Sequence, residues 1–173
     1  MLVRDARREG LPVTAEATPH HLLFCRDDIP QGDTNYKMAP PLAGREDRAE
    51  LRRAVKDGIM MFATDHAPHH VSLKNRPWNE AANGIIGIEA AIPVTWAVMV
   101  EEEGMGIEEW AQAWWKLPRE IMRGASSVVN PTRIEVGGKK RLDIDKFKSL
   151  SRNSPYDGME FSCWPIPTGR KEP

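Results

Sequence analysis

The stretch Met60-Met61-Phe62-Ala63-Thr64-Asp65-His66-Ala67-Pro68-His69 decides how the rest of this sequence is interpreted. Residues 59–63 form a short apolar run after Gly58, which is typical of a buried strand in a parallel sheet. Asp65 follows the run, and three imidazoles come next, at His66, His69 and His70. An acidic residue at the carboxyl end of a buried strand, with histidines close behind, is common in the active sites of barrels and open sheets.

Two interpretations of Asp65 follow from its residue type and position. A carboxylate there can bind a divalent metal ion, or it can take a proton from a metal-bound water. Alternatively, Asp65 caps the amino terminus of the next segment and the histidines lie on a surface loop. The residues alone leave both interpretations open.

The neighbouring segments predict an α/β fold. Residues 12–17 alternate and are rich in small and β-branched side chains, which predicts a strand. Residues 46–57 predict a helix with Leu51, Ala54 and Val55 on one face, ended by Gly58. Strand, helix and strand in this order form the right-handed parallel unit of α/β proteins. Because residues 2–10 resemble the end of an amphipathic helix, we expect this chain to be the tail of a longer one.

His20 and His21 follow the first predicted strand. If they continue that strand, their side chains point to opposite faces, so only one of them can face a shared site. That residue is a candidate metal ligand, and the alternative is a structural histidine that packs or hydrogen-bonds elsewhere.

The second half of the sequence predicts three helices and three short strands. The helices span residues 88–103, 107–115 and 118–123, and the strands span residues 133–136, 142–144 and 159–166. Trp110, Trp114 and Trp115 form an aromatic stripe that is more typical of a core or a partner-facing surface than of a ligand site.

Composition excludes several classes of protein. The 173 residues carry 24 basic and 25 acidic side chains, and no basic stripe interleaved with aromatic residues suggests nucleic-acid binding. No apolar run is long enough to span a membrane and no export leader is visible, so we expect a soluble, cytoplasmic protein. Cys25 and Cys163 are expected to be free thiols, with a disulfide as the alternative.

Five blocks, in this order, resemble the carboxyl-terminal half of class I dihydroorotases, in the amidohydrolase superfamily. They are Val13-Thr14-Ala15-Glu16-Ala17-Thr18-Pro19-His20-His21-Leu22-Leu23, Tyr36-Lys37-Met38-Ala39-Pro40-Pro41-Leu42, Ala63-Thr64-Asp65-His66-Ala67-Pro68-His69, Gly84-Ile85-Ile86-Gly87-Ile88-Glu89 and Asn153-Ser154-Pro155-Tyr156-Asp157-Gly158. The resemblance covers about residues 3–167.

The resemblance implies a partial TIM barrel. Residues 1–125 would supply the last two strands and their helices, and residues 126–173 would contribute to a small β-sandwich subdomain. Dihydroorotases interconvert carbamoyl-aspartate and dihydroorotate in pyrimidine biosynthesis, using one or two zinc ions. By position, Asp65 would end the eighth strand, touch metal and shuttle a proton. His69 would bind the substrate carboxylate, and the backbone at Asn83 and Gly84 would contact the pyrimidine ring.

The sequence also departs from the family. A substrate-binding Asn in the Pro-Pro loop is here Ala39, which removes a hydrogen-bonding amide. An aromatic-Gly pair is here Asn83-Gly84, and the carboxyl-terminal acidic, Val-rich strand is shortened into Gly137-Gly138-Lys139-Lys140. The other zinc ligands of the family belong to strands that would precede Met1.

These departures lead to an expectation about activity and to two alternatives. We expect the isolated chain to be inactive and not to retain zinc, since stable zinc sites need three or four ligands. The first alternative is a non-catalytic homologue that acts as a scaffold for aspartate transcarbamoylase, and the second is a hydantoinase- or allantoinase-type cyclic amidase. A homo-oligomer is also expected.

Overall fold

The computed structural model describes residues 2–122 and 132–166. In these ranges the helices are α1 (Leu2–Arg8), α2 (Pro19–Leu23), α3 (Arg45–Lys56), α4 (Val71–Lys74), α5 (Ala91–Thr95) and α6 (Ile107–Ile121). A π-helical segment, Trp96–Glu102, continues α5. The strands are β1 (Glu16–Ala17), β2 (Met61–Phe62), β3 (Arg133–Arg141) and β4 (Glu160–Ile166). Short 3₁₀ turns occupy Arg26–Asp28, Thr34–Tyr36 and Ile144–Lys146. The chain is therefore a mixed α/β structure.

β1 and β2 pair in parallel, with Glu16 opposite Met61 and Ala17 opposite Phe62. The Met61 amide donates to the Ala15 carbonyl over 3.0 Å, and the Ala63 amide donates to the Ala17 carbonyl over 3.1 Å. Helix α3 lies between the two strands in sequence, which confirms the predicted strand–helix–strand unit. Both strands are shorter than predicted, because only the two residue pairs Glu16–Met61 and Ala17–Phe62 are joined in the ladder.

β3 and β4 form a separate antiparallel pair whose register is irregular between Val136 and Lys140. β4 packs against α5 and the π-helical segment, so this pair shares the core of the rest of the chain. The predicted strand at residues 159–166 is confirmed, and the one at residues 133–136 extends to Arg141. The prediction of a strand at residues 142–144 is wrong. Asp143 instead caps the turn Ile144–Lys146 by accepting from the Asp145 amide.

Helix α6 is continuous where two helices were predicted. Pro118 lies inside it but only three residues before Ile121, so the missing amide removes a hydrogen bond near the helix end. Burial of Trp110 and Ala113 holds the preceding turns against the core. Residue 123, at the end of the second predicted helix, lies outside the described residues.

One hydrophobic core contains residues of β1, α2, α3, β2, α5, the π-helical segment, α6 and β4. Phe62 contacts Trp114 with ring centroids 5.0 Å apart, and Trp96 meets Trp110 edge to face at 5.3 Å. Trp110 is buried, whereas Trp115 is half exposed, so the predicted aromatic stripe is only partly core. In the described ranges, every helix is too short or too polar to cross a membrane. Cys25 and Cys163 are buried free thiols, as expected.

Candidate functional site

Asp65 lies just beyond β2 at the rim of a cavity of about 490 Å³. Its backbone has φ +47, a left-handed conformation that costs non-glycine residues energy. The side chain is 43% exposed, and Thr18, His21 and Ala39 line the same cavity. Helix α4 is capped by His70, whose Nδ1 accepts from the Ser72 amide. The alternative in which Asp65 caps this helix is therefore wrong.

His20 and His21 lie in α2, so the prediction that they continue a strand is wrong. Thr18 caps this helix by accepting from the His21 amide, and Pro19 occupies its first turn, where a missing amide costs nothing. The Thr-Pro pair was a helix-start signal in the sequence. In a helix, adjacent side chains differ in direction by about 100°, so both rings can lie near Asp65.

The two imidazoles have different surroundings. His21 makes two ring contacts, from Nδ1 to the Thr18 hydroxyl over 2.6 Å and from Nε2 to the Pro40 carbonyl over 2.9 Å. The His20 ring is fully buried, and its Nε2 lies 3.6 Å from Oδ2 of Asp65. Burial, with the neighbouring His21 as a smaller cause, lowers the pKa of His20 to about 3. His20 is thus a neutral ring at physiological pH.

The other histidines of the opening stretch mainly hold the backbone. His66 Nδ1 accepts from the Gly87 and Ile88 amides at 3.2 and 3.3 Å. These two bonds fix the tautomer of His66, and His70 is occupied as the cap of α4. Both residues therefore fit the interpretation of structural loop histidines.

His69 lies against the segment that contains Asn83 and Gly84. His69 Nε2 lies 2.8 Å from the Asn83 carbonyl, which can only accept, so this nitrogen carries the proton. A Cβ placed on Gly84 would lie 3.0 Å from that same nitrogen. The ring of His69 could therefore donate to a substrate carboxylate only through Nδ1 in a protonated ring, or after releasing Asn83.

Two residues without a predicted role hold this region. Asn153 donates to the carbonyls of Ala67 and Gly84 at 3.0 and 3.1 Å and accepts from the His69 amide at 3.3 Å. Asn153 belongs to the last of the five blocks that resemble dihydroorotases, but no role was predicted for it. Lys74 is buried, and its ammonium donates to the carbonyls of Ala82 and Gly84 at 3.0 Å each. No sequence signal pointed to Lys74.

The predicted site residues do not line one common cavity. Asp65 and Ala39 share the cavity of about 490 Å³, which we call the Asp65 cavity. Ala39 also borders a cavity of about 410 Å³ with Asn83. His69 lines a third cavity, of about 370 Å³, together with Lys74. Ala39 is thus the only predicted site residue that links two of these three cavities.

The described residues do not fit a zinc site by themselves. Within residues 2–122 and 132–166, no three His, Cys, Asp or Glu side chains are grouped to hold a metal ion. Asp65 is a single carboxylate, and both ring nitrogens of His21 already have partners. A zinc site that included Asp65 would need ligands from elsewhere.

Comparison with known proteins identifies the lineage. A dihydroorotase from Bacillus pumilus is 38% identical to this chain over 174 residues, which is 96% of the chain. A dihydroorotase from Bacillus cereus strain B4264 is also 38% identical, over 176 residues. This chain is related to the dihydroorotases. It spans 41% of the length of each of these two relatives. No family model matches the chain.

Among solved structures, this dihydroorotase relative shares its fold with part of a hydantoinase and part of a dihydroorotase. The L-hydantoinase (dihydropyrimidinase) from Arthrobacter aurescens superposes with a TM-score of 0.83 at 24% identity, covering 95% of this chain and 39% of the other. The dihydroorotase from Saccharomyces cerevisiae, in complex with 5-fluoroorotic acid, superposes with a TM-score of 0.74 at 21% identity. That match covers 95% of this chain and 47% of the yeast chain.

Proposed function

We propose that this chain is the carboxyl-terminal part of a dihydroorotase, which interconverts carbamoyl-aspartate and dihydroorotate. The identity of 38% to dihydroorotases over almost the whole chain carries this proposal. Asp65 supports it, because it stands at the carboxyl end of a buried parallel strand beside a cavity. That is where active sites of parallel α/β barrels lie.

In this proposal β1 and β2 are the last two strands of a TIM barrel. Residues 1–125 belong to the barrel, and residues 126–173 belong to a small β subdomain that includes the β3–β4 pair. The parallel register of β1 and β2, with α3 between them, supports the first part. The remaining strands and zinc ligands would come from chain outside these residues.

Asp65 is proposed as the catalytic proton carrier. In dihydroorotate hydrolysis, a water oxygen attacks the carbonyl carbon of the ring amide while Asp65 takes a proton from that water. When the carbon–nitrogen bond breaks, Asp65 returns the proton to the departing ring nitrogen. Its exposed carboxylate at the rim of the Asp65 cavity supports this role.

The substrate contacts are proposed around the loop that His69 holds. His69 would bind the substrate carboxylate, and the backbone at Asn83 and Gly84 would face the pyrimidine ring. The contact of His69 Nε2 with the Asn83 carbonyl supports the idea that these groups act together. Ala39 borders the Asp65 cavity but offers the substrate no side-chain hydrogen bond.

A chimera tests the proposal. The matched segment of the Bacillus pumilus dihydroorotase is replaced by this chain, and hydrolysis of dihydroorotate and bound zinc are measured. We expect a zinc-loaded, active chimera that loses activity by at least about 100-fold with Asp65→Asn, the low end for a general acid–base group. Asp27→Asn is the control, because this exposed carboxylate pairs with Arg45 on the surface. An active chimera unaffected by Asp65→Asn would overturn the role of Asp65.

The scaffold alternative is favoured by Ala39. A folded, zinc-loaded chimera without hydrolysis would support a non-catalytic homologue, and binding of this chimera to aspartate transcarbamoylase would support the scaffold role. Ala39→Asn restores an amide beside the Asp65 cavity, so activity gained by this variant would assign the loss to residue 39. Hydantoin and allantoin in the same assay test the alternative of a different cyclic amidase.

A further inference from the structure

The His20 ring is an unusual group for a protein interior. It is fully buried, and neither ring nitrogen has a hydrogen-bond partner among the described residues. Most buried polar side-chain atoms are hydrogen-bonded, because an unpaired buried donor or acceptor costs about 1–3 kcal/mol. A buried histidine whose only role was to fill space would be replaced at lower cost by an apolar ring. We therefore expect at least one ring nitrogen of His20 to form a hydrogen bond in the functional protein.

Among the described residues, Asp65 lies close enough to become that partner. Oδ2 of Asp65 is 3.6 Å from His20 Nε2. His21 is not available, although its ring centroid is 4.4 Å from that of His20, because its own nitrogens contact Thr18 and Pro40. The Asp65 carboxylate, for its part, makes no hydrogen bond with the described residues. Each of the two groups can thus supply the hydrogen-bond partner that the other lacks.

We propose that His20 is a positioning residue for Asp65, donating its Nε2–H to Oδ2 and leaving Oδ1 directed at the Asp65 cavity. This inference rests on the proposed function, in which Asp65 carries the proton. A separation of 3.6 Å exceeds a normal hydrogen bond by several tenths of an ångström. Hydrogen bonds of catalytic groups are often long without substrate and tighten when it binds.

The local structure suits this role. Thr18 caps the amino terminus of helix α2 and Leu22 near its other end is fully buried, so the helix holds the His20 ring in the core. The side chain of Asp65 is half exposed, and its carboxylate makes no hydrogen bond with the described residues. A donor held in the core, such as the His20 ring, would therefore fix which oxygen of Asp65 faces the Asp65 cavity.

Nuclear magnetic resonance of the 173-residue chain tests the pair without turnover. The ring nitrogens of His20 are observed with ¹⁵N labels, and the side-chain carboxyl carbon of Asp65 with ¹³C, at neutral pH. We expect His20 to be protonated at Nε2, with a slowly exchanging proton whose signal is lost in Asp65→Gly, a variant that tolerates positive φ. We expect the Asp65 carboxyl signal to shift in His20→Phe and to return towards its original position in His20→Gln, which restores an N–H donor.

Tyr156→Phe is the matched control, because Tyr156 also carries a buried polar atom without a partner. It should leave the signals of both His20 and Asp65 in place. The inference is overturned if His20 is protonated at Nδ1, if His20→Phe leaves the Asp65 signal unmoved, or if His20→Gln fails to restore it in a folded chain.

The chimera provides the catalytic readout. There, His20→Phe should lower kcat by about 10- to 100-fold with little change in KM, as is typical of residues that orient a reacting group through a hydrogen bond. An inactive chimera with the expected magnetic resonance result would overturn the proposed function and leave the pairing of His20 with Asp65 in place. An active chimera in which His20→Phe changes nothing would overturn only the positioning role.

Discussion

Lys74 shows how one buried charge can organise a loop. Its ammonium lies among the carbonyls of Lys37, Ala82 and Gly84, at 3.3, 3.0 and 3.0 Å. Three acceptors match the three protons of an ammonium group, so no donor is left unpaired. Gly84 also accepts from Asn153, which joins this cation to the loop beside His69. A single lysine thus ties the segment after α4 to the Pro-Pro loop.

The charge of Lys74 makes stability depend on pH. Burial and the neighbouring Lys37 lower the pKa of Lys74 from 10.5 to about 8. Between these values the unfolded chain binds more protons than the folded chain, so the free energy of unfolding rises with pH. We expect this rise, measured by urea denaturation from pH 7 to about pH 10, to be smaller in Lys74→Met. Replacement of the exposed Lys148 by Met should leave the slope as it is, and an unchanged slope in Lys74→Met would contradict the prediction.

Residue types predicted part of the site. The position of Asp65 at the end of a buried strand could be predicted, because the short apolar run that follows Gly58 is typical of such a strand. His20 and Lys74 could not, because their roles depend on burial by segments distant in sequence. His20 and Asp65 are 45 positions apart in the sequence, and Lys74 and Lys37 are 37 positions apart. Local spacing carries no information on such contacts.

At the scale of elements, the loop that follows α4 depends on a glycine. Gly84 has φ +122, and a Cβ there would lie 2.6 Å from Cβ of Ala67 and 3.0 Å from Nε2 of His69. Both the backbone conformation and the close approach therefore exclude a side chain. Since Gly84 also accepts from Lys74 and Asn153, any shift of this loop disturbs several hydrogen bonds at once.

Gly84→Ala should destabilise the chain more than a glycine replacement in open space. Gly104 has φ +64 with no atom within 4 Å of the added Cβ, so Gly104→Ala measures the backbone strain alone, about 1–2 kcal/mol. We expect Gly84→Ala to cost at least about 1 kcal/mol more, because overpacking adds to the strain. Urea denaturation compares the two, and the ring signals of His69 should move only in Gly84→Ala. Equal costs would show that the loop adapts.

Helix α6 is hydrogen-bonded to the last residue of α5 through one hydroxyl. Oγ1 of the buried Thr95 accepts from the indoles of both Trp110 and Trp114 at 3.2 Å and donates to the Ala91 carbonyl at 2.8 Å. Thr95→Val keeps the volume but leaves a buried indole unpaired, so we expect a loss of about 1–3 kcal/mol in urea denaturation. The loss should shrink when Trp110→Phe removes that donor. An equal loss in both backgrounds would assign the effect to packing.

Helices and strands could be predicted where the local residue pattern alone determines the structure of the segment. The helix at residues 46–57 is confirmed, as α3, because its apolar face, its charged face and Gly58 agree. The break predicted before Pro118 was wrong, because packing of α6 on β2 outweighs a lost hydrogen bond in the last turn. Thr18 and Pro19 carried a helix-start signal that the alternating residues before them obscured.

At the scale of the whole molecule, the β1–β2 sheet has two free edges among the described residues. Each edge of such a pair presents unpaired amides and carbonyls, which favours pairing with another strand. Large apolar side chains are also exposed on α6, where Ile107 is 57% and Trp115 is 50% accessible. In the proposed barrel, neighbouring strands would cover both edges.

The isolated chain should therefore associate with itself. In sedimentation equilibrium we expect its average mass to rise with protein concentration, because strand edges and apolar side chains are buried when copies meet. The chimera with the Bacillus pumilus dihydroorotase is the comparison, since the strands of that relative would occupy the same edges. The average mass of the chimera should stay constant over the concentrations at which the average mass of the isolated chain still rises. If the isolated chain instead remains a monomer throughout, its two strands are stable without neighbours, and the argument for a missing part of the barrel loses its physical basis.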